Sequence, residues 1–111
     1  MTKYTKSVKN PWFDYIALGL KTVEGRLNKG DFAEMKKGDQ IEFTNGDHRV
    51  TATITSIVSY PSFYSYLKHE GLEKCLPGIK TLREGVEIYH KFYSPEQEEM
   101  FGVLAVRLKL E

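Results

Sequence analysis

Apolar positions along this chain switch between a period of two and a period near 3.6, and the switches mark out its elements. Lys3 to Val8 reads as a short first strand. Asn10-Pro11 predicts a helix start, because Asn can cap free amides and Pro suits the first helical position. Trp12, Phe13, Ile16, Ala17 and Leu20 then share one helical face, and Gly19 is expected to close the helix in a left-handed conformation. Residues 22–27 predict a second strand. Gly30-Asp31 and Gly38-Asp39 are turn signals, with Phe32 and Met35 tucking a short helical turn between them. Gln40 to Thr44 alternates, with Ile41 and Phe43 inward, and Asn45-Gly46 predicts a hairpin turn into a strand rich in Val, Ile and Thr over Arg49 to Tyr60.

The second half is more helical. Ser62 can cap a helix carrying Phe63, Tyr66 and Leu67 that ends near Gly71, and Thr81 with Glu84 fits a capping box for a stripe of Leu82, Val86, Tyr89 and Tyr93. Ser94-Pro95 opens a further helical turn, and Gly102 to Leu110 is the last strand. Its stretch Val103 to Val106 is apolar on both faces and is expected inside the sheet. The sum is an α+β chain with five strands and with helices after the first and fourth. The expected form is a small closed or half-closed barrel of five or six mostly antiparallel strands. The helices starting near Pro11 and Leu82 are expected to pack on its outside.

Composition narrows the class. The 111 residues suffice for one domain, taken as residues 1–111. One cysteine, Cys75, permits no internal disulfide, and His48, His69 and His90 are too dispersed for a zinc motif, so neither metal nor cofactor is expected. No signal-peptide pattern or membrane-length apolar run is visible, so the expected setting is reducing and cytoplasmic, with no membrane partner. Net charge is +1, but residues 1–38 carry eight Lys/Arg against four Asp/Glu, and the rest carry eight against eleven. A basic face can therefore coexist with a nearly neutral total.

The chemistry concentrates in Gly19-Leu20-Lys21-Thr22-Val23-Glu24-Gly25-Arg26-Leu27. On an extended strand Thr22, Glu24 and Arg26 share a face, with alternate Cα atoms about 6.6 Å apart. Glu24 can pair with Arg26 and hold its guanidinium for a phosphate or a base edge. Lys21, at the helix–strand junction, is expected to swing its stem over the same cleft. Lys21, Thr22, Glu24 and Arg26 are thus the candidate ligand-binding residues. The competing reading is an exposed ion pair worth about 0–1 kcal/mol.

Gly19, Lys21, Glu24 and Arg26 form the pattern G-x-K-x-x-E-x-R, which resembles the signature of the ASCH domain. The Pro11-Trp12 helix, the Lys37-Gly38-Asp39 turn, Leu76-Pro77-Gly78 and the run Phe101 to Val106 extend the resemblance over nearly the whole chain, toward small single-domain prokaryotic members. The resemblance implies a PUA-like barrel whose cleft holds RNA or a nucleotide-like ligand. One branch of ASCH-like proteins hydrolyses N4-acetylcytidine and related nucleosides, and carries a threonine nucleophile where this chain has Glu24. A carboxylate cannot replace an attacking hydroxyl. If the chain is an enzyme, Lys21 and Glu24 are the catalytic candidates, with Glu24 activating a water and Lys21 facing the oxyanion; Glu70 and Glu73 are candidates for a second carboxylate. Other members are linked to ribonuclease activity, but no His pair here argues for it.

The remaining residues read more plainly. Trp12 is expected in the core, with stacking on a ligand as the alternative. One of Tyr60, Tyr64 and Tyr66 is a candidate to stack on a base. Tyr89 and Tyr93 read as core with wet hydroxyls, Cys75 as a small buried group, Arg49 and His48 as a solvated turn, and Glu96, Glu98 and Glu99 as a solvated helix start. Three function classes remain: a module binding RNA or a nucleotide, a hydrolase of modified nucleosides or RNA, and a protein–protein adaptor. Glu24 favours the first, and the small net charge argues against tight binding along a duplex.

Overall fold

A computed structural model describes residues 1–111. Its strands are β1 (Lys3–Ser7), β2 (Val23–Leu27), β3 (Gln40–Asn45), β4 (His48–Tyr60) and β5 (Val103–Leu110). The helices are α1 (Trp12–Ala17), α2 (Asp31–Glu34), α3 (Phe63–Glu70), α4 (Leu72–Cys75), α5 (Leu82–His90) and α6 (Pro95–Phe101). The strands form one mixed sheet in the order β1-β3-β4-β5-β2, with β1 parallel to β3 and the other pairs antiparallel. The sheet curls into a half-barrel, and β1 and β2 remain as edges with no pairing between them.

The curl follows from β4. Its first half pairs with β3 and its second with β5, and the register slips between Ile54 and Ser56. An extra residue on one strand bends it and increases its twist. The β3–β4 turn uses Gly46 and Asp47, one residue later than expected, because Asn45 still pairs with His48. Gly46 takes φ +61°, which suits the first central position of a two-residue hairpin. Asn45 remains in the strand, and its side-chain amide donates to the Val8 carbonyl at 2.9 Å.

Alternating side chains send the sheet into two apolar cores. Leu104 and Val106 join Ile41, Phe43, Ile54 and Phe13 on the inner face, whereas Val103 and Ala105 join Phe63, Tyr66, Leu67 and Tyr89 on the outer one. The outer core carries α3 and α5, as expected of the Leu82 helix. The Pro11 helix does not sit outside: α1 places Phe13 and Ile16 in the inner core and plugs the half-barrel. It is also shorter than its apolar stripe. The helix ends at Ala17, and Leu20 is left 54% exposed.

Helix ends follow local chemistry. Ser62 Oγ accepts from Ser65 N, and Thr81 Oγ1 accepts from Glu84 N, although Glu84 returns to the threonine hydroxyl instead of completing the box. The full capping box belongs to Ser94 and Gln97. The acidic run after it is not uniformly solvated. Glu98 is buried and accepts from Phe63 N at 2.6 Å and His90 Nε2 at 2.8 Å, tying α6 to α3 and α5. No helix is long and apolar enough to cross a membrane.

Candidate functional site

The two unpaired edges define a seam, and a cavity of about 270 Å³ opens along it. Ser7, Val8 and Lys9 line it from the end of β1, and Glu24, Gly25 and Arg26 from β2. Trp12, Leu76, Ile88 and the pair Phe92 and Tyr93 supply the apolar and aromatic walls. Lys9 sits over the Phe92 ring, 5.8 Å from its centroid, so the two meet at the mouth. Such a volume lies near the lower end of the ~300–1,000 Å³ of small-molecule pockets. It suits one planar group better than a length of chain.

The charged trio meets here with an unexpected division of labour. Lys21 is buried, and its ammonium donates to the Val23 carbonyl and the Cys75 carbonyl, both at 2.6 Å. Its third partner is Glu24 Oε1 at 3.3 Å. An ammonium has three protons, and all three have acceptors. Lys21 therefore does not swing over the cleft; it clamps the end of α4 to β2 and fixes Glu24. The second Glu24 oxygen accepts from Arg26 Nε at 2.9 Å. Burial pushes the Glu24 carboxyl up, but Arg26 and Lys21 outweigh it and hold it below the usual carboxylate range.

Arg26 is the partly exposed member. Its guanidinium lies on the Phe32 ring, 4.8 Å from the centroid, with Tyr93 on another side. It donates to Glu24 through Nε, and the Tyr93 oxygen is a further acceptor beside it. The terminal nitrogens are the donors this cavity can offer a ligand. Burial raises the Tyr93 hydroxyl pKa more than the neighbouring guanidinium lowers it, so Tyr93 stays a neutral donor.

Gly25 lies between Glu24 and Arg26 because nothing larger fits. A Cβ there would come 2.5 Å from the buried Tyr66 ring. Tyr66 and Tyr89 bond hydroxyl to hydroxyl at 3.0 Å beneath this strand, and burial drives both pKa values well up. Tyr89 is thus a dry hydroxyl, contrary to the expectation of a wet one. Cys75 is buried as expected, and its thiol is pushed up to about 11 by burial.

Thr22 does not join the trio. Pairing of β2 begins at Val23, while Thr22 N donates to the Lys74 carbonyl and Thr22 O accepts from Leu108 N. The residue faces a separate polar cleft with His69, Glu70, Lys74 and Arg107. Glu70 lies in that cleft, and neither Glu70 nor Glu73 lines the seam cavity. None of Tyr60, Tyr64 and Tyr66 lines it either: Tyr60 bonds Glu70, Tyr64 is exposed, and Tyr66 is core. The aromatics that do line it are Trp12, Tyr89, Phe92 and Tyr93. Phe92 and Tyr93 lie in the turn between α5 and α6, past the end of the helical stripe that the sequence assigned to Tyr93. His48 and Arg49 are exposed, and Arg49 pairs with Glu42.

Comparisons with known proteins agree with this architecture. The hypothetical protein PH0355 is 34% identical with a TM-score of 0.92, and the match covers 99% of this chain and 100% of that one. The protein PF0455 from Pyrococcus furiosus is 33% identical, TM-score 0.82, covering 98% and 97%. A serine-to-alanine mutant of ZmASCH from Zymomonas mobilis shares the fold at 15% identity and TM-score 0.66, over 95% of this chain and 66% of its own. No curated protein matches the chain. The ASCH domain family model matches residues 7–111, from the end of β1 through the seam cavity to the last strand. The chain belongs to the ASCH domain family.

Proposed function

We propose that this protein binds single-stranded RNA or a nucleotide without altering it, holding one base in the seam cavity. The observation that carries this reading is the state of Arg26. Lys21 and Glu24 are consumed in holding a guanidinium that keeps terminal N–H groups beyond those facing Glu24 and Tyr93, beside aromatic walls at Trp12, Phe92 and Tyr93. A base offers what this site lacks: a flat face for the rings and a carbonyl or ring-nitrogen acceptor for the fork. Ligand-binding roles therefore fall on Arg26 directly, and on Glu24 and Lys21 as the residues that position it. Belonging to a family whose clefts are linked to RNA supports the same reading.

Hydrolysis of N4-acetylcytidine-like nucleosides is less well served. A carboxylate held below its usual range is a weak base, and an ammonium with three internal acceptors has no proton to turn toward an oxyanion. Incubation with N4-acetylcytidine is expected to release no cytidine. Turnover that disappears in Glu24→Gln would restore the hydrolase. The binding reading is tested by titrating nucleosides and short single-stranded RNAs into isotope-labelled protein. Amide shifts should centre on Trp12, Arg26 and Phe92; shifts elsewhere with these residues silent would refute it.

A further inference from the structure

On the other side of the Lys21–Thr22 junction lies the second cleft, about 360 Å³ in volume and mostly polar in its lining. Glu70 is its one carboxylate, with a side chain only 3% exposed. It is neutralised from two sides. Arg107 donates through Nε to Oε1 at 3.0 Å and through a terminal nitrogen to Oε2 at 2.9 Å, and the Tyr60 hydroxyl donates to the same Oε2 at 2.5 Å. Donation from Arg107 is the main reason the Glu70 carboxyl sits below its usual range.

What remains facing solvent is a set of donors. Arg107 keeps a side chain that is 45% exposed, with guanidinium protons beyond those given to Glu70. Lys74 is exposed on α4, and its ammonium has no salt-bridge partner. The Thr22 hydroxyl makes no side-chain hydrogen bond, while His69 gives its Nδ1–H to Ser65 O and adds a ring to the wall, not a donor. One fixed fork, one mobile ammonium and a hydroxyl around an open polar cleft match the oxygens of a phosphodiester.

We propose that this cleft is a second ligand site, holding a backbone phosphate of a single-stranded polynucleotide. It does not depend on the base-holding role given above to the seam cavity. The two are neighbours, because Lys21 lines one and the next residue, Thr22, lines the other, and consecutive Cα atoms are about 3.8 Å apart. A single strand that crosses this junction can lay a phosphate against Arg107 and Lys74.

Arg107→Ala would also remove the cation beside buried Glu70 and mix a structural effect into binding, so Lys74→Ala and Thr22→Val are the informative variants. Labelled protein is titrated with inorganic phosphate, with a nucleoside and with a tetranucleotide of single-stranded RNA. Phosphate should shift the amides of Thr22, Val23, Lys74 and Leu108, the nucleoside should leave them unmoved, and the tetranucleotide should shift them and bind more tightly than phosphate. Lys74→Ala should weaken the tetranucleotide about three- to tenfold and lower its salt slope by about 0.7, the loss of one phosphate contact on a single strand. Thr22→Val should weaken it about two- to threefold. Tetranucleotide affinity unchanged in Lys74→Ala, or phosphate bound more tightly than the tetranucleotide, overturns the proposal. A nucleoside that fails to reach the seam while the tetranucleotide still shifts this cleft would remove the base-holding reading and leave this one standing.

Discussion

Two buried glutamates, each paired to a partly exposed arginine, flank the start of β2, and they leave different amounts of chemistry on offer. Glu24 takes one guanidinium N–H from Arg26, through Nε, and receives its second cation from Lys21. Glu70 takes two from Arg107, its remaining support is a neutral tyrosine hydroxyl, and a further Arg107 nitrogen reaches Ser56 Oγ at 3.4 Å. A guanidinium has five N–H groups, so the buried lysine at the first pair spares the arginine for other work. At the second pair the arginine itself secures the carboxylate. The number of cations around a buried carboxylate thus decides how much of each one a ligand can use.

Stability should separate the pairs most sharply. Lys21→Met leaves two buried carbonyls without their donor and Glu24 with one cation, and breaking a buried charge pair costs about 3–5 kcal/mol. Arg107→Met leaves Glu70 with the Tyr60 hydroxyl and removes a half-exposed cation already screened by water, so about 1–2 kcal/mol is expected. Urea unfolding of both variants checks the order. Equal losses would mean that Lys21 is not the keystone of the first pair.

Ligand affinity comes next. Arg26→Ala is expected to weaken short RNA or nucleotide binding about ten- to a hundredfold, since a charge-assisted hydrogen bond contributes roughly 1.5–3 kcal/mol. Arg26→Lys should recover little, because an ammonium neither forks nor lies flat on Phe32. Glu24→Gln should cost less than Arg26→Ala, as the amide oxygen can still accept from Nε. Titrations by fluorescence or calorimetry decide this. If all three variants bind like wild type, the trio is structural and the ligand lies elsewhere.

Much of this was legible beforehand, and the gaps have physical causes. Strand and helix order follow from periodicity, and the motif from Gly19 to Arg26 marks the cavity wall. Period alone could not say that α1 plugs the half-barrel, because an apolar stripe reads the same on either face of a sheet. Lys21 looked like a ligand-seeking cation because its partners are carbonyls, and Cys75 is 54 residues away. Glu98 looked solvated for the same reason: its amide partner, Phe63, is 35 residues distant. Gly25 carries no chemistry of its own, and only the Tyr66 ring explains it. Arg107 had a faint signal, as the residue that ends the apolar run of β5.

Acid should act on both pairs at once. Glu24 and Glu70 are each held below the ordinary carboxylate range when folded, so the stability they contribute is present above about pH 4.3, the unfolded value. It is lost as pH falls through the folded values. Unfolding midpoints should be flat from pH 7 to about 5 and decline below about 4.5. Glu24→Gln and Glu70→Gln should each flatten that decline. A midpoint that already falls between pH 7 and 6 would show that groups other than these two carboxylates set the acid response.

The smallest effect concerns the shelf under Arg26. Phe32 is buried in the inner core, and its ring carries the guanidinium at 4.8 Å, with Lys6 on the same ring at 5.3 Å. A cation–π contact is worth about 0.5–1 kcal/mol near a surface. Phe32→Leu keeps an apolar side chain there but removes the ring quadrupole. Arg26 should remain paired to Glu24 through Nε, yet be less confined in plane. Short RNA should therefore bind about two- to fivefold more weakly, and inorganic phosphate at the Arg107 cleft should bind as before. A variant whose phosphate affinity falls as far as its RNA affinity would show that the two clefts respond as one unit. An RNA affinity equal to wild type would show that Glu24 alone orients the fork.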